Sequence, residues 1–491
     1  MTEESTLRKT NRESRLANLH RSLFRQIQDW WKEHNWATIG FDSAVIICLL
    51  AFGSLVRLLL AYYFRMNFFV EAFENPWNRH VYGNPNQVPF FGFSDFSHYY
   101  LSWVHAWFEE GWNPYRWPET FTDDPLNYYS YPPLFLYTLV ALWRPGVSNL
   151  WVALPMVIAD AACAGLVYLL LKELMKNNPS RGLAFFGALL MAIAPINLIY
   201  DGVYWLNPGP VTLFTLCSFY FAIKKQWWQT FFWLAIATMT KQNALFFSYP
   251  LFMFMLAQKT RERGVKQAVI ESVVNAGLFV LTCVFISIPW LFLSPAHYGG
   301  HLLFPGKPLE LTTTILEPPS NQCVTFSWSL LVLGLEGWLL GAIAFGINSL
   351  LLMVLVTTSI ALLICWRVYE NKLDSIEFFI WIALYTVLSH IFMPRGVYKF
   401  YTAYYVPIIL VALLGSLYPL CRENKFLPFT LLFSMTLFLG FNIGLLVIHR
   451  WIVPVYLFLV CLVLAVIGSI SGYLIKKQQN NSLSKTINST F

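Results

Sequence analysis

The chain predicts an all-α polytopic membrane protein with about twelve transmembrane helices, and three observations predict it. Hydrophobic residues make up 57% of the 491 and charged ones only 12%, too little polar surface for a water-soluble protein of this length. Apolar runs near the length that crosses about 30 Å of hydrocarbon recur along the chain. Basic residues then return in alternate connecting loops, the asymmetry that orients spans in a bilayer. The formal charge of +7 is read as these loops; nucleic acid is not expected as a partner, whereas membrane lipids are.

Taken in order, residues 1–41 are polar and carry Arg8, Lys9, Arg12, Arg15, Arg21, Arg25 and Lys32. With Trp30, Trp31 and Trp36 near its end, this stretch reads as a cytoplasmic amphipathic tail lying on the membrane surface. No cleavable signal peptide is expected, because the first apolar run follows that tail and is long enough to span. The membrane domain is expected over residues 42–474, with a cytoplasmic tail from 475 to 491. The first span, from about Asp42 to Phe64, leads into a long first outer loop, residues 64–150, in which acids outnumber bases. Within it, Leu134–Trp143 is apolar but too short to cross, so Pro132–Pro133 is expected to start a helix that dips into the outer interface.

Further spans are expected near 151–171, 183–199, 210–223, 228–240, 244–257, 268–292, 339–365, 376–393, 403–420, 426–447 and 451–474. Lys224–Lys225, the Lys259–Lys266 cluster, Arg367 with Lys372, and Arg422 with Lys425 then share a side with both termini. The other side collects the first loop, the turn Tyr200–Pro210, the break Thr240–Asn243, a late outer loop at 294–328 with His297, His301 and Lys307, and Met393–Tyr401. The eight cysteines are scattered, without a CxxC pair or a His partner at metal spacing, so they read as small apolar filler and no metal site is expected.

The first outer loop carries amphipathic helical spacing. Asp95, His98, Ser102, His105 and Glu109 fall at i, i+3, i+7, i+10 and i+14, which is one helix face. Phe96, Tyr100, Trp103 and Trp107 occupy the other face, and the expected arrangement is an interfacial helix with rings toward lipid and ionisable groups toward water. Asp95 then suits either a helix cap or a general base for an attacking hydroxyl. His98 and His105 suit hydrogen bonding to a substrate or to Asp95. Asp123 and Asp124 read either as solvated loop acids or as groups that orient an acceptor. Lys241 interrupts an apolar stretch, where it is either a snorkelling anchor or an anion-binding cation. Arg395 and Lys399 lie outside, against the positive-inside trend; they are either interfacial anchors on lipid phosphates or, beside Tyr398 and Tyr401, cations for a phosphate delivered from the lipid plane. The charges cluster in the outer loops instead of at the midplane, and no paired halves are evident, which disfavours a transporter.

Four segments in order resemble the polytopic C-type glycosyltransferases, the GT-C superfamily. They are Asp95 in FSDFSHYY, Tyr131-Pro-Pro-Leu134, Val157-Ile-Ala-Asp160 and Thr240-Lys-Gln-Asn-Ala-Leu245. The second, third and fourth are similar to the dolichyl-phosphate-glucose-dependent glucosyltransferases, and the fourth to many prokaryotic members as well. Leu303-Phe-Pro and Phe326-Ser-Trp328 echo the late outer loop of that group. The resemblance implies a GT-C-like fold and transfer of a hexose from a polyprenyl-phosphate-linked sugar on the non-cytoplasmic face, with Asp95 as catalytic base. It implies a lipid-linked oligosaccharide or other glycan as acceptor, and no cofactor beyond the lipid-phosphate sugar itself. Tyr131, Trp205 and Asn207 would join His98, His105, Asp123 and Asp124 on the acceptor or sugar, and Lys241, Arg395, Tyr398 and Lys399 the donor phosphate.

Two motifs depart from that group: its outer HxxQ-like turn is Tyr204-Trp-Leu-Asn207 here, and its late His-Glu-Lys is Arg395-Gly-Val-Tyr-Lys399. The specific sugar and acceptor therefore do not carry over. The second variant is similar to prokaryotic or archaeal members, which implies a plasma membrane location, or the endoplasmic reticulum if the source is eukaryotic. A mannosyltransferase or protein O-glycosyltransferase of the same superfamily, or a lipid or sugar transporter, is the alternative. An oligosaccharyltransferase is disfavoured, since a WWDxG motif and a large C-terminal domain are missing.

Overall fold

A computed structural model describes residues 36–68, 96, 100–108, 111, 113–115, 129, 131–143, 149–175, 181–303, 350–392, 399–421, 427–448 and 452–488. Most of these are helical, with no strand among them. Residues up to Cys48 form a first compact unit, described only over its helical part; Leu49–Phe491 forms a second, which holds everything below. The helices are α1 (Trp36–Phe68), α2 (Leu101–Phe108), α3 (Pro133–Val140), α4 (Asn149–Leu174), α5 (Arg181–Ala192), α6 (Pro208–Ile223), α7 (Trp227–Thr240) and α8 (Ser248–Arg263). They continue as α9 (Val265–Leu293), α10 (Pro295–Leu303), α11 (Leu350–Tyr369), α12 (Ser375–Ile391), α13 (Val406–Cys421), α14 (Leu427–Val447) and α15 (Val453–Asn488).

Seven helices among the described residues are long and apolar enough to cross a membrane, and three shorter ones, within α6, α12 and α13, are apolar too. The chain thus has the makeup of a multi-pass membrane protein. Many of the long helices keep much of their apolar surface uncovered by protein, α9 most of all, with only 11% of its span buried. In water that would be costly, whereas hydrocarbon tails solvate it at no penalty.

Helix ends follow local chemistry. Pro132 and Pro133 start α3 as expected, since proline suits a first turn whose N–H groups lack helical partners. Gly264, at φ +81°, lets the chain reverse between α8 and α9. Asp374 caps α12 by accepting from the Glu377 N–H at 2.7 Å. The α8 and α11 C-terminal ends meet where Arg261 Nη1 donates to Val368 O at 3.1 Å and to the Asn371 side chain. Arg367 forks onto Glu377 with contacts of 2.8 and 2.7 Å, tying α11 to α12. The C-terminal ends of α8 and α11 and the start of α12 are thus tied together.

Inside the second unit, α4 packs on α5 and α6, α6 on α7, and α13 on α4, α5 and α12. The loop aromatics correct the expectation for the first outer loop. Phe96, Tyr100 and Trp103 are buried in protein with Tyr129, Phe135, Trp205 and Trp290, not turned toward lipid. α3 likewise buries Phe135, Leu136 and Leu139 in protein. Helical spacing identifies a face, but with aromatic side chains on it protein and lipid compete as partners. Here edge-to-face ring pairs win, such as Phe96 on Trp205 at 5.0 Å and Tyr100 on Phe135 at 4.9 Å.

Candidate functional site

The site is organised by the place where α7 stops. Lys241 is extended, at φ −156° and ψ 131°, and a 3₁₀ turn, Gln242–Phe247, follows before α8. That break swings the lysine inward, where only 2% of it is exposed. This excludes the snorkelling role, which requires the ammonium to reach water. Nζ donates to Asn207 Oδ1 at 3.0 Å. It also lies 4.1 Å from the Tyr401 ring centroid, 5.1 Å from Tyr131, 5.4 Å from Tyr404 and 5.6 Å from Phe400. Ring faces and an amide oxygen each stabilise an ammonium.

Three other segments meet that ammonium. The 3₁₀ turn Lys399–Tyr404 supplies Phe400, Tyr401 and Tyr404, and the Tyr404 hydroxyl donates to the same Asn207 oxygen at 3.0 Å. Tyr131, the first residue of Tyr-Pro-Pro-Leu, is held through its backbone, its carbonyl accepting from Tyr115 OH at 2.8 Å. Next to it, Tyr129 OH donates to Pro132 O at 2.7 Å. Burial lifts both phenols well above their ordinary pKa, so they remain protonated donors. The Asn207 Nδ2 group is buried and donates to no protein group among the described residues.

Asn207 arrives on an unusual turn. After α5 stops, a short helical segment at Pro195–Asn197 runs into a π-helical turn, Leu198–Val203, and Trp205 then sits at φ +59°. π turns and left-handed non-glycine residues are uncommon and concentrate at functional sites. Trp205 is fully buried, with Phe96 against it. Phe96 is the chain neighbour of Asp95.

A second polar group lies within the helices. Arg57 on α1 and Asp160 on α4 form an ion pair, Nε to Oδ2 at 2.6 Å, with both side chains wholly buried. Arg57 Nη1 donates to Gly53 O and Ala192 O, each at 2.9 Å. Asn197 Nδ2 bridges two carboxylates, donating to Asp160 Oδ1 at 2.8 Å and to Asp201 Oδ2 at 3.2 Å. The expectation that ionisable groups gather in the loops is corrected by these three. Arg57 and Asp160 each interrupt an apolar run, and an intramembrane charge carries a functional prior by itself; that was the signal available in the sequence.

Tyr131, Asn207 and Lys241, which sequence reasoning nominated separately, are thus brought together, and Trp205 adjoins them through its own turn. Asp95, His98, Asp123, Asp124, Arg395 and Tyr398 lie outside the described residues. His105 is in α2 and Lys399 opens a 3₁₀ turn, but their side chains are outside the described part. Tyr401, expected beside the outer cations, does border the lysine, whereas Tyr404 and His390 were not singled out as site residues. His390 is buried on α12, its ring 6.3 Å from Tyr401 and its Nδ1 2.8 Å from Thr386 O. A histidine in an apolar helix has no distinctive spacing, and its place beside the cage depends on packing alone. No family model matches the chain, and comparison with curated proteins finds no match either.

Proposed function

We propose that the protein is a polytopic GT-C-type glycosyltransferase. It moves a hexose from a polyprenyl-phosphate carrier to a lipid-linked glycan or other acceptor on the non-cytoplasmic face, with inversion. One observation carries this reading: Lys241, a buried lysine, stands where Tyr131, Asn207 and the turn beginning at Lys399 converge. These are the segments that resemble the superfamily or stand in place of its motifs, and they are far apart in sequence. The expected twelve crossings are α1, α4 to α9 and α11 to α15, with both termini cytoplasmic. That topology puts the ends of α5, α7 and α12 on one side, in agreement with their meeting at Lys241.

In the proposed reaction Asp95 takes the proton of the acceptor hydroxyl as its oxygen forms a bond to the anomeric carbon. The bond from that carbon to the carrier phosphate breaks, and its electron pair leaves on the phosphate oxygen. Lys241, with Arg395 and Lys399, stabilises the charge that grows there, assisted by Tyr398. Low polarity around the ammonium strengthens this attraction. His98, His105, Asp123, Asp124, Tyr131 and Trp205 face the acceptor or sugar in this scheme. Asn207 supplies its Nδ2 as a donor to sugar or phosphate oxygen.

The test is transfer of labelled hexose from a polyprenyl-phosphate donor by protein in sealed vesicles, comparing wild type with Asp95→Asn. The expected result is loss of transfer at unchanged expression; an active Asp95→Asn protein refutes the base assignment. The Arg57–Asp160–Asp201 group favours one second reading, a lipid or sugar transporter, since transporters place charges within spans. That reading predicts uptake of labelled lipid-linked sugar without formation of a glycosidic bond.

A further inference from the structure

Both ends of the turn that carries Asn207 are tied to a single residue, Asp160. Upstream, its Oδ1 accepts from Asn197 at 2.8 Å and its Oδ2 from Arg57 Nε at 2.6 Å. The same guanidinium donates to Ala192 O at 2.9 Å. That carbonyl belongs to the last residue of α5, where helical acceptors lose their intrahelical donors and need others. Downstream, α6 begins at Pro208, and Gly209 comes so close to α4 that an added Cβ would lie 2.8 Å from both Asp160 Cβ and Met156 O. Gly202, in the π turn, is just as near the other partner: its Cβ would meet Arg57 Cγ at 3.0 Å.

Between these two anchors the chain passes through Trp205 at φ +59°. A tryptophan holds that backbone only where its surroundings over-determine it. The glycines also explain how the contacts are reached, since each lets backbone approach a charged side chain where any other residue would collide.

We propose that Arg57 and Asp160 are positioning residues of the Lys241 site. They hold residues 198–207 in the strained path that delivers Asn207 to the ammonium, and so set the affinity of that site for a lipid phosphate. The lipid-phosphate part rests on the function proposed above; the positioning part does not. A well-packed apolar pair would stabilise helix contacts as well as a buried ion pair does. An ion pair adds directional bonds to carbonyls and an amide, which a turn interrupting two helices requires.

Two variants attack the anchors from opposite ends in full-length protein in lipid nanodiscs. Arg57→Lys keeps the charge but loses the fork that reaches Asp160 and Ala192 together. Gly209→Ala keeps every charge and pushes the start of α6 away from Asp160. Gly468→Ala is the control, because its Cβ meets Ile380 Cδ1 at 2.6 Å, between α15 and α12. Fluorotryptophan incorporated at Trp205 alone reports the turn by fluorine NMR, and binding of farnesyl phosphate reports the site.

Arg57→Lys and Gly209→Ala are expected to shift the Trp205 resonance and to weaken farnesyl phosphate binding. The loss should be about tenfold or more, within what ångström-scale misplacement can cost. Gly468→Ala should lower the melting temperature and change neither. The proposal is overturned by an unmoved resonance in both variants, by an equal shift in Gly468→Ala, or by a moved resonance at unchanged affinity. Wild-type protein that binds no farnesyl phosphate overturns the proposed function and the affinity claim, while the resonance still decides the positioning role.

Discussion

Two places among the described residues bring buried ionisable groups together with other polar groups, and they are built differently. At Arg57–Asp160 the cation faces a carboxylate at 2.6 Å, and an amide bridges that carboxylate to a second one. At Lys241 the cation faces an amide oxygen, a ring centroid at 4.1 Å and three more rings beyond 5 Å. Opposite charges at contact distance cancel and lock geometry. Dipoles and ring faces also hold a cation, without the directional lock of a carboxylate pair. The first arrangement suits a fixture, and the second is the one assigned to the donor phosphate in the proposed reaction.

The largest expected effect separates the two. Asp160→Ala leaves Arg57 buried beside a lost partner and should cost roughly 3–5 kcal/mol of stability, seen as a large drop in melting temperature in detergent. Lys241→Met should retain most of that stability but raise the barrier to transfer by about 3 kcal/mol. If hexose transfer by Lys241→Met stays near wild type, the cage is not a phosphate receptor. Tyr401→Leu removes the nearest ring face and should weaken the ammonium's support by about 2 kcal/mol, read as a shift in donor affinity; an unchanged affinity would assign Tyr401 to packing alone. Smallest of all, Tyr404→Phe deletes one hydrogen bond to Asn207 and should cost about 1 kcal/mol in melting experiments. A loss as large as that of Asp160→Ala would erase the contrast between the two places.

Much of the scaffold could be read from residues in order. Helices were expected and found at nearly all the apolar runs, for example 210–223 against α6 and 228–240 against α7. The interruption at Lys241 was legible too, because a charged residue in an apolar stretch ends a favourable environment. Spacing could not say which face of Phe96, Tyr100 and Trp103 meets protein, since aromatic rings suit lipid and core alike. The Arg57–Asp160 pair was also hidden, because its members stand 103 positions apart. Each alone is only an anomaly in a span; as a pair they make a structural contact.

By itself, the amino-acid order determined that the chain is helical and rich in membrane-length spans. It also determined where those spans break, because hydropathy, proline and glycine act through neighbours a few bonds away. Only the tertiary structure decided that Tyr131, Asn207, Lys241 and Tyr404 share one cage and that Asp160 anchors the turn feeding it. Those contacts join helices distant along the chain. Their selection depends on how whole helices pack, which no local pattern encodes.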